Sequence, residues 1–306
     1  MVDDAHMEVD DGASEAETGG TSGVGAGAGA GAAAARARQP SSHLHRQHQH
    51  QNPNQNQQQR ELINSLEVDS DRADNDSSLG SDISSCVHDR PAGADWAIDF
   101  ANLHPHVKVL GTDLSPIQPD YVPTNCDFII DDATQDWSFH QRFDYIHTRT
   151  LTLGMPDWDK FIDQAYNYLQ PGGILELQEC HFPLKDFDGS LKEGSALWKW
   201  GRKIAAICAT LGIDARSALD HGDRLRNRGF TDVSEVHLPC PLGPWAKGQR
   251  QKRLGWMARK DLYEGIDGIS KKLFLMLGDT ESEVDAFIEK CKEELMDPAI
   301  HVAMPL

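Results

Sequence analysis

The chain has 306 residues, with 48 acidic against 29 basic side chains and a formal net charge of −19. A field of that sign repels nucleic-acid phosphates and anionic lipid, so neither nucleic acid nor a membrane is expected as a partner of the folded part. No apolar run approaches the ~20 residues that span a bilayer, and Met1-Val2-Asp3-Asp4 is acidic where a signal peptide is basic, so an intracellular protein of cytoplasm or nucleus is expected.

Residues 1–94 read as a disordered low-complexity tail. An acidic start leads into a Gly/Ala tract (Gly23 to Ala35), a His/Gln/Asn tract (His43 to Gln59) and an acidic Ser-rich stretch (Asp69 to Ser85). Such composition buries too little apolar surface to offset an ordering cost of roughly 1–2 kcal/mol per residue. The alternating glycines of Gly25-Ala26-Gly27-Ala28-Gly29 follow no strand and open no amphipathic helix, so they are not read as a phosphate loop. His43, His45, His48 and His50 belong to the same polar tract, and no metal site is expected. The six cysteines, at 86, 126, 180, 208, 240 and 291, form no C-x-x-C pair and read as reduced and mostly buried.

From Trp96 to Leu103 apolar residues recur at helical spacing. Val107 to Asp113, Cys126 to Ile130, Phe143 to His147 and Ile174 to Glu179 are short aromatic and β-branched runs and predict four strands. Between the last two, apolar residues at 158, 161, 162, 165, 168 and 169 predict a helix that ends at Pro171-Gly172-Gly173 as a C-cap and breaker. Strands alternating with a helix through short links predict parallel pairing in an α/β fold, a Rossmann-like doubly wound sheet. Helices follow over Leu191 to Leu211 and Leu219 to Arg228, then a strand over Thr231 to Leu238. Further helices run beyond Gly243-Pro244-Trp245 to Met276 and from Ser282 to Leu295, and His301 to Leu306 reads as the first half of a last strand.

In such a sheet an acid at the carboxyl end of the second strand, here Asp113, has two oxygens to accept from both hydroxyls of a ribose. It can equally cap the turn before Ser115-Pro116. Asp131-Asp132-Ala133 closes the next strand, where a carboxylate can accept from an adenine amine beside a small neighbour, or simply serve the turn. A nicotinamide dehydrogenase shares the ribose acid but requires G-x-G-x-x-G after its first strand, and Asp-Asp-Ala with the Pro-Gly-Gly link is not its set.

Four segments, Val109-Leu110-Gly111-Thr112-Asp113-Leu114-Ser115-Pro116, Asp131-Asp132-Ala133, Phe143 to Arg149 and Leu169 to Gly173, together resemble class I S-adenosylmethionine-dependent methyltransferases. Trp96 to Ala101, Gly243-Pro244-Trp245 and Asp297-Pro298-Ala299-Ile300-His301 are similar to a filamentous-fungal group of them that includes regulators of secondary metabolism. The resemblance covers about Asp95 to Leu306. It implies that Asp113 and Leu114 contact the S-adenosyl-L-methionine nucleoside, that Asp132 and Ala133 flank its adenine, and that His147, Thr148 and Arg149 line the methyl-transfer site. It does not name the methyl acceptor, which is expected to be a small molecule or a protein.

In that family the first strand ends in a Gly-x-Gly-x-Gly turn, where a side chain would collide with the methionine moiety. Only Gly93 stands there in Arg90-Pro91-Ala92-Gly93-Ala94, with no apolar strand before it. The expectation is therefore an incomplete methyltransferase domain over 95–306, lacking its first strand and most of its last. A non-catalytic binding or regulatory protein derived from the same fold is the alternative. His147 is the candidate general base or a structural histidine. Trp245 and Trp256 roof the pocket or pack a lid, and the basic helix 247–260 offers a solvated face or a surface for an acidic protein partner.

Overall fold

The computed structural model describes residues 33–36, 95–116, 119 and 121–306. Helix α1 (Asp95–Leu103) lays Ala97, Ile98 and Ala101 against strands β2 (Val109–Asp113) and β3 (Cys126–Ile130), forming a small core with Cys126, Val109 and Phe128. Residues 97, 98 and 101 lie on one helical stripe, which fixes the face presented to the strands. The Asn125 side-chain amide lies 3.0 Å from the Ala101 carbonyl, 3.2 Å from that of His104 and 2.8 Å from that of Val107, so one residue ties the end of the helix to the start of the strand. Strands β2 and β3 pair in parallel from Val109↔Cys126 to Asp113↔Ile130.

Strand β4 (Phe143–Arg149), helix α2 (Trp158–Tyr168) and strand β5 (Leu169–Gln178) form a strand–helix–parallel-strand unit. Asp157 caps α2 by accepting from the Lys160 amide at 2.8 Å, and the helix buries Trp158, Phe161, Ile162 and Ala165 against Leu175, Leu177, Leu225 and Phe230. The C-cap expected at Pro171-Gly172-Gly173 is corrected: the helix ends at Tyr168, and those residues lie inside β5. There the register against β4 shifts between Phe143 and Tyr145, and Gly172 takes φ +83. Glycine reaches that left-handed conformation without a Cβ clash, so the same residues serve a strand irregularity instead of a helix stop.

The sheet order is β4-β5-β1-β7, where β1 is Ala33–Arg36 and β7 is Thr231–Glu235, following helix α4 (His221–Arg228). Strand β1 runs antiparallel to both neighbours. The disordered tail expected over 1–94 therefore does not hold at these four residues. Composition measures what a segment buries by itself, whereas a strand between two others gains ladder partners on both edges.

The mixed α/β architecture fits the expected fold class, with the described strands divided among three hydrogen-bonded groups. Among the described residues the β2–β3 pair forms its own two-stranded sheet, and a third, antiparallel sheet has the order β6 (Lys185–Asp186), β9 (Val302–Pro305), β8 (Pro239–Pro241). The strand expected to run to Leu238 stops at Glu235 because Leu238 pairs instead with Leu306, at 2.9 and 3.1 Å.

The largest core joins helices α3 (Ala196–Thr210), α5 (Gln249–Met276) and α6 (Glu281–Met296). Fully buried Trp200 donates to the Ser270 hydroxyl at 2.7 Å, and the Glu294 carboxylate accepts from the Ala196 and Leu197 amides at 2.9 and 2.7 Å. That carboxylate meets the positive end of the α3 dipole and satisfies two of its free donors. Helix α3 starts later than expected because Ser195 caps it, and α5 starts after Gly248 at φ +96. Gly255 lets α5 approach the preceding turn: a Cβ there would lie 2.0 Å from the Gly243 carbonyl oxygen. Cys126, Cys180, Cys208, Cys240 and Cys291 are buried free thiols, while Cys86 lies outside the described residues. No helix among the described residues is long and apolar enough to cross a membrane.

Candidate functional site

Parallel pairing of β2 and β3 brings the expected acids side by side: the Asp131 amide donates to the Asp113 carbonyl at 3.0 Å. The Asp113 Oδ1 accepts from the Ser115 amide at 2.9 Å, while Oδ2 has no partner among the described residues. The turn role and an open acceptor thus coexist in one half-buried carboxylate. Beside it, Leu114 and Ile130 are 69% and 62% exposed, an apolar surface at the carboxyl ends of the two strands.

Asp132 is more committed to its own turn. Its Oδ1 accepts from the Thr134 amide at 2.9 Å and the Thr134 hydroxyl at 2.7 Å, and its Oδ2 from Gln135 at 3.2 Å. The bonds from Thr134 hold its pKa below the usual carboxylate value, so the group is anionic at neutral pH. Ala133 packs with Trp137 and Ile146 at the edge of the second core, and its carbonyl accepts from the Trp137 indole at 3.1 Å.

His147 lies on the face of β4 toward α1. The Trp96 ring stacks on it at 3.8 Å with an interplanar angle of 4°, and Phe100 stacks on Tyr145 at 5.8 Å. On β5, Glu176 accepts from the Tyr145 hydroxyl and, at 2.8 Å, from the Gln178 amide, and Gln178 hydrogen-bonds His147. Burial lowers the His147 pKa, and Nε2 is buried without a partner among the described residues. The imidazole is neutral at pH 7, which suits a proton acceptor, but an indole covers its face. Burial, then the bond to Glu176, raises the Tyr145 pKa, so this hydroxyl stays protonated.

Glu179, read from sequence only as the end of a strand, is the strongest polar feature near β4. It is 4% exposed and accepts from the Thr152 amide and hydroxyl, both at 2.9 Å, and from the Thr148 hydroxyl at 3.3 Å. Burial pushes its pKa up to about 7 against those hydrogen bonds. The carboxyl thereby holds residues 148–152, a turn that contains Thr150 at φ +59. Two threonines four residues apart beyond an apolar run, with an acid ending the neighbouring run, were the available signal. Arg149 is half-buried at the end of β4.

The other expected site residues do not gather here. Trp245 is buried with Phe187, Ala246 and Ala303, its ring 5.4 Å from that of His301. Trp256 lies on α5 with Lys260 over its ring, and Lys260 also pairs with Glu264 at 3.9 Å. Among the described residues no hydrogen bond or ring contact joins either tryptophan to His147, Asp113 or Asp132. Gly93, the acidic Ser-rich stretch from Asp69 to Ser85 and the alternating glycines at 25–29 lie outside the described residues. A cleft of about 340 Å³ lined by His181, Lys185, His237, Pro239, Pro305 and Leu306 contains none of the residues expected to touch the nucleoside.

Residues 92–235 match the family model described as a methyltransferase domain. The chain is 33% identical over 208 residues to the methyltransferase pytC of Aspergillus terreus, a match covering 67% of this chain and 64% of the relative. It is 29% identical over 210 residues to the secondary metabolism regulator laeA of Aspergillus fumigatus, covering 67% and 56%. Similarity to the protein-methionine methyltransferase laeA of Emericella nidulans is 30% over 178 residues, covering 57% and 47%. The chain thus spans about half to two thirds of the length of these curated relatives.

Proposed function

We propose that this chain, a member of the methyltransferase family similar to fungal methyltransferases and secondary-metabolism regulators, binds S-adenosyl-L-methionine and transfers its methyl group to a small-molecule or protein acceptor. The observation that carries the reading is the open Asp113 Oδ2 beside the exposed Leu114 and Ile130, at the joined ends of two parallel strands. These residues fit the nucleoside end of the cofactor: an anionic oxygen for ribose hydroxyls and an apolar surface for adenine. Asp132 and Ala133 contribute more as the turn that shapes this surface than as free partners. When bound, the cofactor supplies an electrophilic methyl on a sulfonium.

The chain's own residues then have two tasks. Positioning an acceptor is worth up to ~7–11 kcal/mol in favourable cases and falls to the 148–152 turn held by Glu179, with Arg149 beside it. A neutral His147 accepts the proton of a hydroxyl or amine acceptor at Nε2 once the Trp96 ring moves aside. A thioether acceptor, as the printed name of the Emericella relative indicates for that protein, has no proton to lose, and His147 is then structural.

Equilibrium dialysis with labelled cofactor tests the reading. Saturable binding is expected, weakened at least ~10-fold in Asp113→Ala, since a hydrogen bond to a charged group contributes about 1.5–3 kcal/mol. Absence of saturable binding, or equal binding by the variant, overturns it. The Trp96 ring over His147 favours the second reading, a cofactor-free regulatory protein. That reading predicts no binding together with an intact fold by circular dichroism.

A further inference from the structure

In the parallel β4–β5 ladder Tyr145 lies opposite Ile174, His147 opposite Glu176 and Arg149 opposite Gln178. Alternate residues of a strand share a face, and so do residues paired across strands, which puts all six side chains on one side of the sheet. Helix α1 covers that side with Trp96 and Phe100. Four of the side chains form a hydrogen-bonded line from Tyr145 through Glu176 and Gln178 to His147, and each step fixes the orientation of the next. Glu176 Oε2 accepts from the Tyr145 hydroxyl, and Oε1 accepts from the Gln178 side-chain nitrogen at 2.8 Å. A carboxylate in that role offers acceptors alone, so the Gln178 NH2 turns toward Glu176 and its carbonyl is left for His147. A carbonyl cannot donate, so the ring nitrogen that meets it carries the hydrogen. That nitrogen is Nδ1, because Nε2 is buried with no partner among the described residues. The stacked indole of Trp96 sets the plane of the ring and Gln178 sets which way round it sits.

We propose that Tyr145, Glu176 and Gln178 are positioning residues that hold His147 in its Nδ1–H tautomer, which makes Nε2 the proton-accepting atom of the site. The inference rests on the methyl-transfer reading above, with a hydroxyl or amine as the acceptor. In that step the acceptor's proton passes to Nε2. The electron pair left on oxygen or nitrogen bonds to the methyl group, while the pair of the broken methyl–sulfur bond stays on sulfur. The positive charge then sits on the imidazolium. Its Nδ1–H still donates to the Gln178 carbonyl, and the Glu176 carboxylate lies directly across the ladder from it. The bond a ring nitrogen makes on one side decides the tautomer and hence the chemistry of the other. With the Gln178 amide reversed, Nδ1 would have to accept, Nε2 would carry the hydrogen, and no lone pair would be left to take the proton. Glu176 prevents that reversal, because it would set two acceptors against each other, and the Tyr145 hydroxyl occupies the second carboxylate oxygen.

Nitrogen NMR of the full chain carrying isotope-labelled histidine, recorded at neutral pH without cofactor or acceptor, tests it. The His147 signals are those lost in His147→Gln. In the native chain Nε2 should show the shift of an unprotonated, pyridine-like nitrogen and Nδ1 that of an N–H. Gln178→Glu keeps an acceptor beside Nδ1 and should keep this pattern. Gln178→Leu removes the acceptor and should lose the pattern, the ring reverting to the Nε2–H form that a free imidazole prefers in water. Glu176→Leu, which frees the Gln178 amide to turn, should give a mixture of the two. An Nε2–H pattern in the native chain overturns the proposal, as does a native pattern that Gln178→Leu leaves unchanged. The first of these is read on the native chain and decides even where a variant does not fold. Since no cofactor is present, failure here is distinct from an absence of saturable binding in the dialysis experiment.

Discussion

Replacing Glu179 with glutamine should stabilise the protein at neutral and higher pH, with the gain disappearing toward pH 4.5. Burial raises the Glu179 pKa from an ordinary 4.5 to about 7. The native state therefore holds this proton more tightly than the unfolded chain, so the carboxyl supports folding most at low pH. That support is lost as pH rises from about 4.5 through about 7. At about 1.4 kcal/mol per pH unit the full cost of keeping the buried anion is roughly 3 kcal/mol.

A glutamine reproduces the neutral form: its carbonyl accepts from the Thr152 amide, and its amide donates to the Thr148 hydroxyl. Allowing about 1 kcal/mol for an imperfect hydrogen bond, Glu179→Gln should gain roughly 2 kcal/mol at pH 9 and lie within about 1 kcal/mol of the native chain at pH 4.5. Urea denaturation at the two pH values measures this as a midpoint shift of about 1 M at pH 9, for a slope near 2 kcal/mol per molar. An equal difference between the proteins at both pH values refutes the reasoning.

Three further outcomes follow from the same geometry. His221 is 2% exposed, has neither ring nitrogen partnered among the described residues, and is held down to about 4 by burial; it should cost the native chain up to roughly 3 kcal/mol as pH falls from about 6.5 to about 4. His221→Phe, against the Trp158 ring 4.3 Å away, should flatten that loss in denaturation curves at pH 5. Gly255→Ala should destabilise by about 2 kcal/mol or more, read as a lower melting temperature, because the Gly243 carbonyl occupies the space of the new methyl. Trp96→Ala should uncover His147 and move its pKa up toward 6.5, followed by the imidazole proton signals; an unmoved titration would show that the indole is not what buries it.

Where one residue's environment is made by its neighbours in sequence, the chain was readable. Asp113 and Asp131 end apolar runs, and parallel pairing puts such ends together, so their adjacency needed only the strand pattern. The stripe of α2 and the helix within Leu191 to Leu211 were legible for the same reason. Pro171-Gly172-Gly173 misled because a glycine that permits positive φ serves a C-cap and a strand irregularity alike, and the choice rests on the pairing with β4. Glu179 was passed over because its importance comes from Thr148 and Thr152, which local periodicity cannot place around it. Trp245 and Trp256 looked alike as pocket aromatics, yet tertiary packing sends one against Phe187 and leaves the other under Lys260.

The division of the sheet bears on how the molecule comes apart. Helix α1 with β2 and β3 has a core of four buried side chains, against twenty-one in the core built around α3, α5 and α6. Such a unit is expected to melt first, so heating should produce two steps in place of one cooperative transition. The ribose acid rides on that weaker unit. A nucleoside bound there at a hundred times its dissociation constant would add about 2.7 kcal/mol to the lower step alone, merging the two.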